Sequence, residues 1–276
     1  MQVGPGRNLD PRAALDAVGA MAEAEIDIAE TALQFARIDR PEDDCDAARA
    51  LLSAIARDAA AMAIDAPARG KALADLLAGR YGFSGDAADY DNPANANLIA
   101  VLQRRRGLPV ALGILWLHAA AAAGWAAHGL DVPAHFLITL DAVPERGALP
   151  LVLDPFDSGT RLDSERLHTL LRRVAGPEAA LRRVGPRAVL LRLQNNIRTR
   201  RLGAGDLAGA LTASRDMLRI APEHAALWQE AGALHQRLDQ VGAALRCYDR
   251  CLALAPAGEA AARLKREIGR LRTRLN

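Results

Sequence analysis

The sequence has few aromatic residues, few cysteines and almost no lysine. Aromatic residues make up 4% of the 276, while alanine, which loses no side-chain entropy in a helix, is abundant. A mostly helical protein is therefore expected. Lys71 and Lys265 are the only lysines among 35 basic residues, a skew toward arginine to which we give no functional weight. Apolar residues make up 51% of the chain and charged residues 25%, which excludes disordered, collagen-like and disulfide-scaffold proteins.

Cysteine usage and hydropathy bear on where the protein works. Cys45, Cys247 and Cys251 fit neither a disulfide framework nor a zinc site with paired C-x-x-C arms, so a reducing compartment is expected. No stretch reaches about eighteen apolar residues without a charge or a breaker, and residues 1–12 have no apolar signal region. We expect a soluble, cytoplasmic protein that binds no membrane, metal or cofactor.

Charge is distributed unevenly along the chain. Residues 1–75 contain 14 acidic and 8 basic side chains, whereas residues 161–201 contain 3 acidic and 11 basic ones. The net charge of +2 therefore conceals a basic middle segment.

Helical periodicity covers most of the chain before residue 124. Apolar residues recur at helical spacing from Pro11 to about Arg37, which predicts one amphipathic helix. Start and stop signals predict further helices over 41–63, 67–77, 95–106 and 109–123. Segments 134–140 and 149–153 are rich in strand formers and flank a hairpin-type loop, so a small antiparallel sheet should follow. From Ser164 to Leu275 the pattern is helical again.

A repeat is visible in this last segment. Prolines and alanines recur at a spacing of 34 residues, which is the tetratricopeptide period, in the pairs Pro222/Pro256 and Ala210/Ala244. The second unit also has Trp228 and Gly232 at consensus positions. The first unit, 191–224, is degenerate, and 258–275 is predicted to be a capping helix.

Five short motifs complete the pattern: Tyr-Asp-Asn-Pro at 90–93, Asn-Leu at 97–98, Arg-Arg-Gly-Leu-Pro at 105–109, Pro-Ala-His-Phe-Leu at 133–137 and Leu-Asp-Pro-Phe at 153–156. In this order, and followed C-terminally by the repeat, these motifs resemble those of the bacterial transglutaminase-like family with a C-terminal tetratricopeptide pair, often labelled invasion-regulator Sir-B type. The resemblance covers nearly the whole chain from about residue 20.

The resemblance implies a mostly helical α+β fold. A papain- or transglutaminase-like core with a small antiparallel sheet would occupy residues 1–185, and two tetratricopeptide-type repeats with a capping helix would occupy 186–276. In such a core a nucleophilic Cys begins a helix, a His lies on a strand, and an Asp on the next strand orients the His. A thiolate gains there from the helix dipole and from His⁺.

Here the resemblance assigns the histidine to His135 and the aspartate to Asp154, but it finds no nucleophile. Residues 107–113 contain no Cys, Ser or Thr, and the matching positions hold Pro109 or Ala111. His135 and Asp154 then have two interpretations. They are either a buried structural pair or a dyad that activates water.

Other candidate residues also have a functional and a structural interpretation. Arg104 to Arg106 either bind a ligand or form a solvated helix end. Cys247 and Cys251, one helical turn apart, either share a metal with His235 or fill the core, and we favour the core.

We therefore expect a non-catalytic transglutaminase-like protein that acts as an adaptor or regulator through its tetratricopeptide groove. The alternative is a hydrolase or transferase that uses the His135/Asp154 dyad to activate water. A nucleic-acid surface on 161–201 is disfavoured because aromatic residues do not alternate with its arginines. The positive charge there predicts an acidic protein partner or self-association, bound by solvent-facing Arg198, Arg200 and Arg201, with Trp228 in the repeat.

Overall fold

Most of the chain is helical, as the composition predicts. The structure, a computed structural model, describes residues 10–132, 135–141, 151–175 and 181–273. The α-helices in these ranges are α1 (Pro11–Gly19), α2 (Ile28–Asp39), α3 (Cys45–Ala60), α4 (Arg69–Ala74), α5 (Leu98–Arg104), α6 (Pro109–Ala122), α7 (Ser164–Ala175), α8 (Pro186–Gly203), α9 (Leu207–Ile220), α10 (Ala225–Arg237), α11 (Val241–Leu254) and α12 (Glu259–Thr273). A π-helical turn, Asp75–Arg80, continues α4.

The strands form a small parallel pair and one antiparallel sheet. The pair is β1 (Ser84–Gly85) with β2 (Arg106–Gly107). The sheet contains β3 (Ala127–Val132), β4 (His135–Leu140), β5 (Leu151–Asp154), β6 (Thr160–Leu162) and β7 (Arg182–Val184), in the order β6-β5-β4-β3-β7. The two strands predicted from the sequence are β4 and β5. The hairpin-type loop predicted at 143–147 lies outside the described residues.

Contacts divide the described chain into two units. Ala22–Leu193 form the first, which contains the sheet, and the residues up to Met21 join the chain from Gln194 onward in the second. The sequence predicts a boundary at 185/186 with α1 in the first unit, whereas the contacts place the boundary at 193/194 and group α1 with the C-terminal helices.

Helix α6 is the centre of the first unit. Ten of its residues are buried, because it has no polar face to turn toward water. Helices α2 and α3 contact it, as do strands β3 and β4. Gly113 allows the sheet to approach closely, since a Cβ at this position would lie 2.6 Å from Cδ1 of Phe136 on β4.

The amphipathic helix predicted over 11–37 is two helices. Asp27 starts α2 afresh, because its carboxylate accepts hydrogen bonds from the N–H groups of Ala29 and Glu30, both at 3.0 Å. Helix α1 instead packs on α9 in the second unit. There Arg12 pairs with the buried carboxylate of Asp216 at 3.0 Å, and Asp16 pairs with Arg219 at 2.7 Å.

The C-terminal helices follow the 34-residue period. Helices α9 and α11 begin 34 residues apart, and so do α10 and α12, which places α12 where a capping helix is predicted. Gly232 on α10 lies against the ring of Tyr248, and Trp228 packs against the same cluster. The indole N–H of Trp228 donates to the carbonyl of Pro222 at 2.8 Å.

The helical pattern predicted from Ser164 to Leu275, with breaks at glycines and prolines, misses one strand. Arg182–Val184 form β7, which pairs with β3 at the sheet edge. Three residues with two arginines carry too little alternation to predict a strand. Within the described residues, no helix is long and apolar enough to cross a membrane.

The contact between Gly113 and Phe136 can be tested by substitution. Gly113→Ala should destabilise the protein by roughly 1–3 kcal/mol, because the added methyl overlaps the ring. Gly269→Ala on α12 is the control, since a Cβ there meets nothing within 4 Å. That change should stabilise by roughly 0.5–1 kcal/mol. Urea unfolding followed by circular dichroism measures both, and equal effects of the two substitutions would contradict the packing described.

Candidate functional site

His135 and Asp154 meet at the ends of neighbouring strands. Nε2 of His135 lies 2.7 Å from Oδ2 of Asp154, and the side chains are 19% and 13% exposed. The register of β4 and β5 brings them together, since Ile138 lies opposite Leu153 and one step further places Leu137 beside Asp154. The pairing predicted from the motifs is therefore present in the structure.

The second carboxylate oxygen of Asp154 closes the turn after β5. Oδ1 accepts hydrogen bonds from the N–H groups of Phe156, at 2.9 Å, and Asp157, at 3.3 Å. The carbonyl of Asp154 also accepts from the N–H of Gly159 at 2.7 Å. Asp154 thus ends a strand and binds the imidazole with the same side chain.

Arg192 on α8 holds the strand end that carries His135. Its Nη2 donates to the carbonyls of Val132, at 2.8 Å, and His135, at 2.6 Å, which face each other across β3 and β4. Nη1 pairs with the carboxylate of Asp131. Burial lowers the pKa of Arg192. The sequence offers no signal for this role, because the arginine is 57 residues away from the histidine it positions.

The two faces of the sheet separate the dyad from α6. Phe136 packs against Gly113 of α6, so alternation places His135 on the opposite face. Leu137 and Val132, which share that face with His135, pack with Leu171 of α7. The positions assigned to the missing nucleophile, Pro109 and Ala111, are both buried in α6.

This geometry limits what the histidine can do. One ring nitrogen, Nε2, is occupied by Asp154, so only Nδ1 is left to take a proton from water or a substrate. A cavity of about 540 Å³ opens along α7, but the side chains that line it belong to the segment 163–173 and do not include the dyad.

None of the three thiols has the environment of a nucleophile. Burial raises the pKa of Cys45, Cys247 and Cys251, which reduces the thiolate fraction at neutral pH. All three are free, and Cys251 packs in the core with Tyr248. The described residues contain no group of three or more His, Cys, Asp or Glu side chains that could hold a metal ion.

A polar network supports the loop beside the dyad. Arg104 donates to the carboxylate of Asp86 and to the amide oxygen of Asn95, both at 2.8 Å, and Asn95 in turn donates to the carbonyl of Asp89. Burial by itself would raise the pKa of Asp86, but hydrogen bonds from the Asp89 N–H and from Arg104 outweigh it and lower the pKa. Arg104 is therefore structural.

Tyr90 lies on the loop that this network supports. The Tyr90 ring packs edge-on against Phe156, with 5.8 Å between ring centroids. Because Phe156 follows Asp154 by two residues, the contact joins the 90–93 motif to the 153–156 motif.

The arginines predicted to face solvent on α8 have partners within the protein. Arg198 pairs with Glu230, and its side chain is only 13% exposed. Arg201 donates to the carbonyl of Gly209 at 2.9 Å, and Arg200 lies 3.3 Å from the side-chain oxygen of Asn196. The expectation that they are solvent-facing is corrected by these contacts.

Comparison with known proteins gives two family matches. Residues 46–195 match the transglutaminase-like superfamily, and residues 197–269 match the tetratricopeptide repeat. Both agree with the resemblance drawn from the motifs.

Among individual proteins, the chain is 28% identical over 199 residues to the UPF0162 protein of Xylella fastidiosa strain Temecula1, covering 69% of each. It is 32% identical over 160 residues to the UPF0162 protein of Vibrio cholerae, covering 57% of this chain and 58% of that one. A UPF0162 protein of Pseudomonas aeruginosa is 30% identical over 184 residues, covering 65% and 66%. The match spans less than two thirds of the Vibrio and Pseudomonas proteins.

A solved structure of menin, described as revealing the binding site for Mixed Lineage Leukemia protein, is similar at a TM-score of 0.48 and 12% identity. The similarity covers 90% of this chain and 71% of menin. It is too slight to bear on function.

The hydrogen bond between His135 and Asp154 predicts a loss of stability when the aspartate is removed. Asp154→Ala should lower the free energy of unfolding by roughly 1–3 kcal/mol, because the part-buried imidazole and two N–H groups lose their acceptor. Asp157→Ala is the matched control, since its side chain is exposed and the change should be within about 0.5 kcal/mol. Thermal and urea unfolding compare the two. An Asp154→Ala protein that unfolds like the parent would show that the pair is not structural.

Proposed function

The chain belongs to the transglutaminase-like superfamily and carries a tetratricopeptide repeat region, and from this premise we propose that it is a non-catalytic member that works by binding another protein, as an adaptor or regulator. One observation carries the proposal: the first turn of α6 holds buried Pro109 and Ala111 where the family chemistry requires a thiol.

Covalent acyl transfer needs three groups in reach of one another: a nucleophile, a base that takes its proton, and a third group that orients the base. This chain has the last two in His135 and Asp154, but 107–113 contains no sulfur or hydroxyl. The dyad also lies on the sheet face that α6 does not cover. Both observations support a structural role for the pair.

The tetratricopeptide region is a protein-interaction module. Stacked helix pairs of this kind form a groove that accepts a peptide or a helix. Residues 194–273 contain 13 basic and 8 acidic side chains, so the region attracts negative charge. We therefore propose an acidic protein partner. The reducing cytoplasm, inferred from the three cysteines, stays the proposed compartment.

A second candidate function is water activation by His135 and Asp154, in a hydrolase or transferase. It is favoured by the residual exposure of both side chains, 19% and 13%, and by their short hydrogen bond. It requires Nδ1 of His135 to act as the base, since Nε2 binds Asp154. Hydrolysis that survives thiol alkylation and is abolished by His135→Ala would support it.

The main proposal predicts no thiol-dependent activity. Amine-incorporation and peptide-hydrolysis assays should give no turnover above the buffer rate, with or without a thiol alkylator, because no thiol or hydroxyl begins α6. A transglutaminase with an intact thiol serves as the assay control. Turnover that disappears on alkylation would contradict the proposal.

The proposal of an acidic partner predicts that binding weakens as the salt concentration rises. Self-association, followed by light scattering, and binding of a polyglutamate peptide should weaken between about 50 and 500 mM salt, as the screening length shortens. The triple variant Arg215→Ser, Arg237→Ser and Arg246→Ser, which removes charge from exposed positions on α9, α10 and α11, should bind less at low salt.

The triple variant Arg198→Ser, Arg200→Ser and Arg201→Ser is the control, because it removes the same charge from arginines of α8 that bind groups within the chain. If both triple variants lose binding equally, only net charge matters and the exposed arginines are not the binding site. If neither association nor peptide binding occurs at low salt, the acidic partner itself is wrong.

A further inference from the structure

The three consecutive arginines after α5 have different surroundings. Arg104 is neutralised by Asp86 within the loop network described above. Arg105 and Arg106 have no carboxylate within 4.0 Å in the described part of the chain. Two adjacent cations therefore lie at the end of α5 without an anionic partner among the described residues.

The backbone fixes the direction in which Arg105 leaves α5. Its φ of 58° is left-handed, a conformation that helix ends usually assign to glycine. The Arg105 N–H donates to the carbonyl of Val101 at 2.8 Å, and its own carbonyl accepts from the N–H of Ser84 at 3.1 Å. A residue held on both sides cannot swing its side chain away by rotating the backbone.

The Arg105 side chain is held over an aromatic ring. Its guanidinium carbon lies 4.8 Å from the ring centroid of buried Phe83, which is a cation–π distance. Nη1 is buried and has no hydrogen-bond partner among the residues that the structure describes. Burial lowers the pKa of Arg105, as expected for a cation that has lost water without gaining an anion.

Arg106 is held nearby by the same segment. Its Nη1 donates to the carbonyls of Gly82, at 3.1 Å, and Arg105, at 3.0 Å. Arg106 is an exposed residue, and its other two guanidinium nitrogens have no hydrogen-bond partner among the described residues. One of its nitrogens is thus used to orient the group, and the others are available to a ligand.

Two residues on the same segment, Arg80 and Tyr81, bind a carboxylate, and Arg80 adds positive charge. Arg80 lies 5.8 Å from the ring centroid of Tyr81, and both Arg80 and the Tyr81 hydroxyl bind Asp58, at 3.1 and 2.5 Å. The Tyr81 and Phe83 rings are stacked, with 6.5 Å between centroids. Asp58 is therefore already occupied by these two residues.

We propose that Arg105 and Arg106 form a binding site for an oxyanion, the carboxylate or phosphate group of a ligand. A planar guanidinium matches both groups through paired N–H donors, and stacking on Phe83 orients Arg105 before the ligand arrives. The site is distinct from the His135/Asp154 pair and from the tetratricopeptide region. It does not depend on the proposed function.

Anion binding is measured with potassium phosphate, potassium acetate and potassium chloride at equal ionic strength. Phosphate or acetate should raise the thermal midpoint of the full chain relative to chloride, and a titration followed by the Nε–H NMR signals of arginine should saturate. Arg105→Gln should weaken this binding about tenfold or more, the loss expected for hydrogen bonds to a charged group. Arg105→Lys should recover only part of it, since an ammonium lacks the planar fork.

Arg266→Gln is the matched control, because it removes the same charge from an exposed position on α12. It should bind like the parent. Circular dichroism and the midpoint in chloride show whether each variant is folded. A response to both anions, or to either one alone, supports the site. A response to only one of them identifies the group that the site prefers. No response in the parent, or an Arg105→Gln protein that responds like the parent, overturns it.

Discussion

The burial of α6 is the constraint on which the sheet-containing unit depends. A helix without a polar face cannot lie at a surface, so helices cover one side of it and the sheet covers the other. Phe136 reaches Gly113 on the covered face. Because side chains alternate along β4, the same contact turns His135 to the far face. The packing that buries α6 therefore also places His135 and Asp154 on the opposite face of the sheet.

Strong periodic signals were sufficient to predict much of this structure. The all-apolar 109–123 segment, the strand formers of β4 and β5, and the 34-residue period each depend on local sequence alone, and each appears in the structure close to its predicted bounds. The hydrogen bond between His135 and Asp154 could also be predicted, since it follows from a family motif on two strands that pair in register. Local pattern and tertiary packing agree at these places.

Other features depend on contacts between distant residues. Strand β3 contains His128, Gly129 and Asp131, which are poor strand formers, and it is stabilised by pairing on both sides. In the sequence Arg192 is not distinguishable from the other arginines of the basic segment. In the structure it binds the carbonyls of Val132 and His135, at the ends of β3 and β4. Its neighbours on α8 were expected to face solvent, but they bind groups within the chain. Charge counts describe composition and do not show which charges are already neutralised.

The attachment of α1 to α9 has a consequence for how the protein is made. Arg12 and Asp216, which bind each other, are 204 residues apart. At a translation rate of about 5–20 residues per second, α1 leaves the ribosome roughly 10–40 s before its partner helix exists. During that interval its apolar side, which includes Leu15 and Val18, has no place to pack. Helix α1 therefore cannot reach its native position until α9 has been made.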